Sequence, residues 1–226
     1  MPLPKVLPPA RARAVVFDAY GTLFDVHSAV MRHAGDVGAV APAFSAHWRM
    51  KQLEYTWVLS LMGEYRPFWA LTGEALDHAL STFPAVDRAL REPLMQAYRG
   101  LSAYVEVANV LSALRKSGLK TAILSNGDRQ MLADAVASAG LNAEFDAVIS
   151  VDDAGVFKTS SRTYALVEAQ LGVTPADTVF VSSNRWDVAG ASRFGFATIW
   201  CNRTGQPDEY PDFAPQMTVR TLEDLL

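Results

Sequence analysis

Five short apolar runs, each rich in β-branched residues and set among helical patterns, constrain the fold of this chain more than any other feature. They are ARAVVFD (residues 12–18), KTAILSN (120–126), FDAVISV (145–151), TVFVSSN (178–184) and FATIWCN (196–202). Runs that are apolar almost throughout suit strands covered on both faces, as in a parallel sheet flanked by helices. Around the last four runs, VANVLSALRKSG, QMLADAVASAG and RTYALVEAQLG carry apolar residues at three- and four-residue spacing and end at Gly118, Gly140 and Gly172. Such a pattern predicts helices that stop in a left-handed turn. The expected fold is therefore α/β, a doubly wound, Rossmann-like parallel sheet.

About a hundred residues separate the first run from the second, and they hold no convincing strand pattern. SAVMRHAGDVG, FSAHWRMKQLEYTWVLSLMG, GEALDHALSTF and DRALREPLMQAYRG read instead as helices. The predicted organisation is an α/β core of residues 14–25 and 101–226, an all-helical cap over 26–100 inserted after the first strand, and an N-terminal arm over 1–13. The prolines at 2, 4, 8 and 9 make that arm extended and mobile. Trp48, Trp57 and Trp69 fall in the cap and offer apolar walls to whatever it covers.

With 226 residues, half of them hydrophobic, the chain can bury a sizeable core. A net charge of -4 and the lack of a basic stripe argue against nucleic acid as a partner. The lone Cys201 ends the apolar run ATIWC and reads as a buried, inert thiol. His27, His33, His47 and His78 show no zinc-ligand spacing. No stretch is apolar and long enough to span a bilayer, and the N-terminus lacks a signal-peptide core, so a soluble cytoplasmic protein is expected.

In open parallel sheets, ligands bind beyond the carboxyl ends of the strands. Those ends carry Asp18 and Thr22 on the first run, Ser125 and Asn126 on the second, and Ser182, Asn184 and Asp187 on the fourth, with Lys158 in the loop after the third. Singly, each reads equally well as a cap, a turn residue or a solvated charge. Together they place a buried carboxylate beside an ammonium and a ring of small hydrogen-bonding groups, the make-up of a site with an anionic nucleophile. Asp152 and Asp153 lie nearby and read as loop carboxylates.

The string FDAYGTLFD resembles the nucleophile motif of the haloacid dehalogenase superfamily, and Ser125, Lys158 and Asp187 stand where its other motifs fall. Phosphatases of that superfamily carry a second aspartate two positions after the nucleophile, which protonates the departing alkoxide. This chain has Tyr20 there; a halide leaves as a stable anion and needs no proton. SSNRWDVAG offers amides and hydroxyls before a single acid, a poor site for magnesium, so no metal or other cofactor is expected.

In the cap, Arg49, Leu53, Trp57 and Ser60 or Leu61 share one helical face at about 100° per residue. Arg49 has no acidic residue three or four positions away, whereas Lys51 has Glu54 and reads as a surface residue. The segment WRMKQLEYTWVLSLM and the string SSNRWD are similar to those of the L-2-haloacid dehalogenases. That resemblance implies a small halogenated carboxylic acid as substrate and a homodimer. It also implies SN2 attack by Asp18 through an aspartyl ester, with Arg49 receiving halide and Ser125 and Asn126 binding the substrate carboxylate. Lys158 would hold Asp18 ionised, with Thr22, Tyr164, Ser182, Asn184 and Asp187 completing the catalytic set. Tyr20, Leu53, Phe68 and Trp186 are candidates for an apolar wall. The family often has proline after the lysine; here Thr159 follows, and Ser160 or Ser161 is expected to cap the next helix instead. The rivals are a magnesium-dependent phosphate hydrolase, a phosphonate hydrolase using a cap lysine, for which only Lys51 is present, and a non-catalytic binding protein.

Overall fold

All five runs become strands: β1 (Ala14–Phe17), β2 (Lys120–Ser125), β3 (Ala147–Ser150), β4 (Thr178–Ser182) and β5 (Ala197–Cys201). A sixth, β6 (Met217–Val219), was not legible because it is three residues long and buries only Val219. The computed structural model describes residues 11–226, and among these the strands form one parallel sheet in the order β3-β2-β1-β4-β5-β6. Residues 1–10 of the arm predicted over 1–13 lie outside the described residues. Residues 11–13 are tied down, since Arg13 N–H donates to the Asp177 carbonyl and its own carbonyl accepts from Lys120 N–H.

Alternate residues of β1 serve opposite faces of the sheet, as a strand period of two requires. Val15 and Phe17 join Ile123, Val179 and Val181 under the larger core, while Ala14 and Val16 join Leu124, Phe180 and Tyr164 in the second. Both faces are thus dry, which is why these runs are apolar throughout.

Between β1 and β2 lie α1 (Ser28–Met31), α2 (Ala34–Val37), α3 (Ala41–Met62), α4 (Phe68–Thr82) and α5 (Arg91–Arg99). Around the sheet run α6 (Val107–Lys116), α7 (Arg129–Ser138), α8 (Ser161–Leu171) and α9 (Arg185–Phe194). Gly118, Gly140 and Gly172 follow their helices at φ of +87°, +68° and +67°, as their positions predicted. Three helical expectations change in detail. SAVMRHAGDVG splits into α1 and α2, DRALREPLMQAYRG begins as a 3-10 turn at Arg88–Leu90, and α4 starts at Phe68, after Pro67 in extended backbone, with Phe68 and Leu71 buried.

In α3 the buried stripe is Phe44, Trp48, Gln52 and Thr56. The Trp48 indole donates to the Thr72 carbonyl (2.9 Å) and the Gln52 amide to the Thr72 hydroxyl (3.0 Å), so polar groups inside the helix pair are satisfied. Trp48 therefore builds the interior of the helical insertion rather than a wall of the site. Trp69 lies under the Arg99 guanidinium at 4.2 Å. No helix among the described residues is long and apolar enough to cross a membrane.

Candidate active site

Asp18 follows β1 directly and keeps its place in the ladder by donating its N–H to the Val181 carbonyl of β4. The strand order turns around between β1 and β4, so the carboxylate stands at the switch point of the sheet, where loops diverge and leave room for a ligand. Gly21 makes the turn beyond it at φ +95°, a backbone that disfavours any residue with a Cβ.

Asp18 is almost fully buried, and both of its oxygens are hydrogen-bonded. Oδ1 accepts from Lys158 Nζ (3.1 Å), and Oδ2 accepts from the Thr22 hydroxyl (3.0 Å) and Asn184 Nδ2 (2.8 Å). Thr22 Oγ1 in turn accepts from Ser183 N–H (2.8 Å), and the Ser182 hydroxyl accepts from Asn184 N–H (3.0 Å). Ser182 thus shapes the loop that aims Asn184 and does not itself touch Asp18.

The Lys158 side chain has no exposed surface and also donates to Asp187 Oδ2 at 2.7 Å, while Phe180 lies 5.0 Å beneath its ammonium. Tyr164 donates its hydroxyl to the other Asp187 oxygen (2.8 Å). One ammonium therefore serves two buried carboxylates. Burial pushes Asp187 up to about 6, against the pull of Lys158 and with the help of the Asp18 charge. Ser160 caps α8 by accepting from Arg162 N–H, as expected for a chain with Thr159 in place of proline.

Ser125 accepts from Gly127 N–H (3.1 Å), and Asn126 Oδ1 accepts from Lys158 N–H (2.9 Å). The Asn126 amide nitrogen is buried without a partner, a donor suited to a carboxylate. Tyr20 is packed into an aromatic wall, with ring centroids 5.9 Å from Tyr98 and 6.2 Å from Phe68. Burial raises the phenol well above its usual range, so it is a poor acid packed among aromatic rings, Phe68 included. Gly127 permits this, because a Cβ there would sit 2.7 Å from the Tyr20 ring. Gly127→Ala should therefore push Tyr20 into the site. The expected result is a raised KM and a stability loss of about 1–3 kcal/mol, read from substrate titration and urea denaturation.

From above, Arg49 donates to the Tyr20 carbonyl (3.2 Å), which also accepts from Asn184 Nδ2 (3.2 Å). The α3 face expected from sequence is the one that meets the core. Trp57 packs edge-on against Trp186 at 5.7 Å, and Ser60 Oγ accepts from Phe157 N–H (3.3 Å). Leu61 is 89% exposed and falls outside that stripe, while Leu53 is half-buried on it. Lys51 pairs with Glu54 at 2.9 Å as expected, although only 17% of its side chain is exposed.

Asp152 accepts from the Tyr65 hydroxyl and from Arg129 N–H, and Asp153 pairs with Arg129, so both tie elements together. Cys201 is buried, and its thiol is raised by burial. His47 and His78 meet at 3.0 Å, a contact their sequence spacing did not reveal.

Three supporting residues escaped sequence reasoning. Tyr98 donates to the buried Gln52 (3.3 Å) behind Arg49, and Asp128 both caps α7 and accepts from Trp69 N–H (3.0 Å), joining insertion to core. Arg203 donates to the Thr22 carbonyl (2.8 Å) and to Glu106 (2.6 Å), which holds the turn after Asp18. A cavity of about 320 Å³ opens beside Arg49, bounded by Asn184, Trp186, Arg185 and Arg203.

A magnesium ion needs several free hard oxygens. Here the oxygens of Asp18 and Asp187 already accept from an ammonium, hydroxyls and an amide, so the residues do not fit that metal. Among the described residues no other group of three His, Cys, Asp or Glu side chains is placed to hold one.

Fold and site together give a carboxylate-centred candidate active site at the switch point of a doubly wound sheet, with helices inserted after its first strand. The chain belongs to the haloacid dehalogenase-like hydrolase family, whose model matches residues 12–195. It is 49% identical over 215 residues to (S)-2-haloacid dehalogenase 4A of Burkholderia cepacia, covering 94% of this chain and 93% of that one. Haloacetate dehalogenase H-2 of a Moraxella species is 37% identical over 217 residues, 96% of this chain and 97% of its own. Among solved structures, L-2-haloacid dehalogenase from Xanthobacter autotrophicus with chloropropionic acid covalently bound superposes with a TM-score of 0.88. It shares 42% identity over 95% of this chain and 96% of that one.

Proposed function

We propose that this chain hydrolyses (S)-2-haloalkanoic acids to (R)-2-hydroxy acids by way of an ester on Asp18. The observation that carries the reading is a buried carboxylate held by Lys158, Thr22 and Asn184, with a weak phenol, Tyr20, where an alkoxide-leaving reaction would need an acid. An Asp18 oxygen attacks C2 from the side opposite the halogen, the C–X electron pair leaves with the halide, and the carbon inverts. The halide departs towards Arg49, while Ser125 and the free amide of Asn126 hold the substrate carboxylate. The apolar wall of Tyr20, Phe68, Leu53 and Trp186 keeps water from shielding the nucleophile.

Water then attacks Cγ of Asp18 and the Cγ–Oδ bond of the ester breaks, so that the former Asp18 oxygen leaves as the hydroxyl of the product. One proton ends on the new hydroxyl, and the second leaves to solvent as the carboxylate is restored. Asp187, pushed up to about 6, is more basic than an ordinary aspartate and suited to taking a proton from that water. The proposed active form has Asp187 ionised; in the ester Asp18 no longer carries the charge that helps raise Asp187, so kcat falls only as pH drops below about 6. Chloride release at saturating substrate between pH 4 and 8 checks this, and a flat kcat down to pH 4 would remove Asp187 from the water step.

The deciding experiment incubates the protein with each enantiomer of 2-chloropropionate in EDTA and measures chloride. Release from the (S) form with formation of (R)-lactate is expected; release from the (R) form alone would overturn the stereochemistry. A homodimer in the cytoplasm completes the proposal, on the resemblance to the L-2-haloacid dehalogenases.

A further inference from the structure

Two arginines beside the active site hold donors that the reaction does not use. Arg185, in the first turn of α9, is 5% exposed. Its Nε donates to Asp208 (2.6 Å) and Nη2 to the Tyr210 carbonyl (3.1 Å), but Nη1 is buried with no partner. Arg203 follows β5, and with Nη1 and Nη2 engaged by Glu106 and Thr22 its Nε is likewise buried and unpartnered. Both residues line the cavity of about 320 Å³ that reaches Arg49.

A guanidinium only donates, and a buried N–H without an acceptor is costly, so the matching ligand is an acceptor. Among the side chains that line the cavity itself, cations outnumber anions. Three arginines line the cavity against one carboxylate, the exposed Glu209. Asp208 and Glu106, which do not line the cavity, pair with Arg185 and Arg203, Arg49 has no such partner among the described residues, and His27, whose pKa burial lowers, adds no charge at neutral pH.

We propose that this cavity binds a small monovalent anion between Arg185 and Arg203, at a position separate from Arg49. There is room for a halide or for a short carboxylate, so the site is a passing place for product or for substrate. That assignment of the anion rests on the dehalogenase reading, whereas the binding itself does not.

The test titrates sodium iodide into the full chain and follows tryptophan fluorescence. Trp186 and Trp200 line the cavity, so iodide held there quenches along a saturable curve above the linear collisional background. Arg185→Met should weaken the saturable phase at least about tenfold, since it removes both the charge and the free donor. Asp208→Asn should tighten it by roughly threefold, because Arg185 is then less neutralised, and a purely structural role for Arg185 predicts no tightening. Both variants should keep the wild-type circular dichroism. In Arg49→Met the phase should persist. Displacement by propionate would mark a site open to carboxylates, and displacement by chloride and bromide alone a site for the halide product.

A missing saturable phase, or one lost in Arg49→Met and unchanged in Arg185→Met, would overturn the site. If chloride release from 2-chloropropionate were intact in that case, the proposed reaction would stand. Saturable binding in a protein that releases no chloride would do the opposite, keeping the anion site and removing the reaction.

Discussion

Asp18→Asn is expected to lower halide release from (S)-2-chloropropionate by at least about 10⁴-fold, because an amide does not displace halide from carbon. The substitution keeps the shape of the side chain, and its one remaining oxygen can still accept from Thr22 and Asn184, but its new N–H donor faces the Lys158 ammonium and the hydrogen bond of that pair is lost. Lys158 retains Asp187 at 2.7 Å, which leaves the buried ammonium one full partner. The fold should therefore survive with a lowered urea midpoint, a loss of about 1–3 kcal/mol, and the loss of activity should fall on kcat rather than KM. Single-turnover hydrolysis in heavy-oxygen water gives an independent measurement. The wild type should carry the label in the Asp18 side chain, and an unlabelled side chain with normal product would refute attack by this carboxylate.

Lys158→Met should be damaging in both activity and stability. Its ammonium lies 3.1 Å from Asp18 and 2.7 Å from Asp187 and has no exposed surface. Removing it leaves two carboxylates facing each other in a dry site, a change of the kind that costs about 3–5 kcal/mol when a buried ion pair loses one member. The loss should also depend on pH. Asp187 in the folded state already binds its proton at about 6, above the value of 3.8 for an unperturbed carboxyl. A folded pKa above the unfolded one means that the group opposes folding as pH rises through that window. Without Lys158 the folded value moves higher, so the variant should lose stability between pH 6 and 8 where the wild type is nearly level. Urea midpoints at those two pH values decide the matter; equal changes in both proteins would show that the ammonium does not compensate Asp187. Chloride release should drop by at least about 10³-fold, since the nucleophile loses its charged partner.

Much of the site was legible because it lies at strand ends. Asp18, Ser125, Ser182, Asn184 and Asp187 each end or follow an apolar run, and a parallel sheet brings all such ends to one edge. Arg49 was legible for another reason, since a helical period places it on the α3 face that carries Trp57 and Ser60, and that face meets Trp186 and Phe157 of the core. Tyr98, Asp128, Arg185 and Arg203 were not legible. Arg185 lies inside the string SSNRWD but carries no period or spacing that marks it there, and the partners of the others lie far along the chain, Arg203 meeting Thr22 and Tyr98 meeting Gln52. β6 escaped for a simpler reason, having too few buried residues to form a pattern.

Alone, the sequence determined the layered α/β fold, the helical insertion and the set of polar groups at the sheet edge, because these follow from residue periods and strand ends that repeat locally. Only the tertiary structure decided that one oxygen of Asp18 faces Lys158 while the other takes Thr22 and Asn184, that one ammonium serves two carboxylates, and that Arg49 and Asn184 meet on the Tyr20 carbonyl. The physical reason is that hydrogen bonds and buried charges are set by distances of about 3 Å between residues far apart in the chain. A period along the sequence carries no information at that scale.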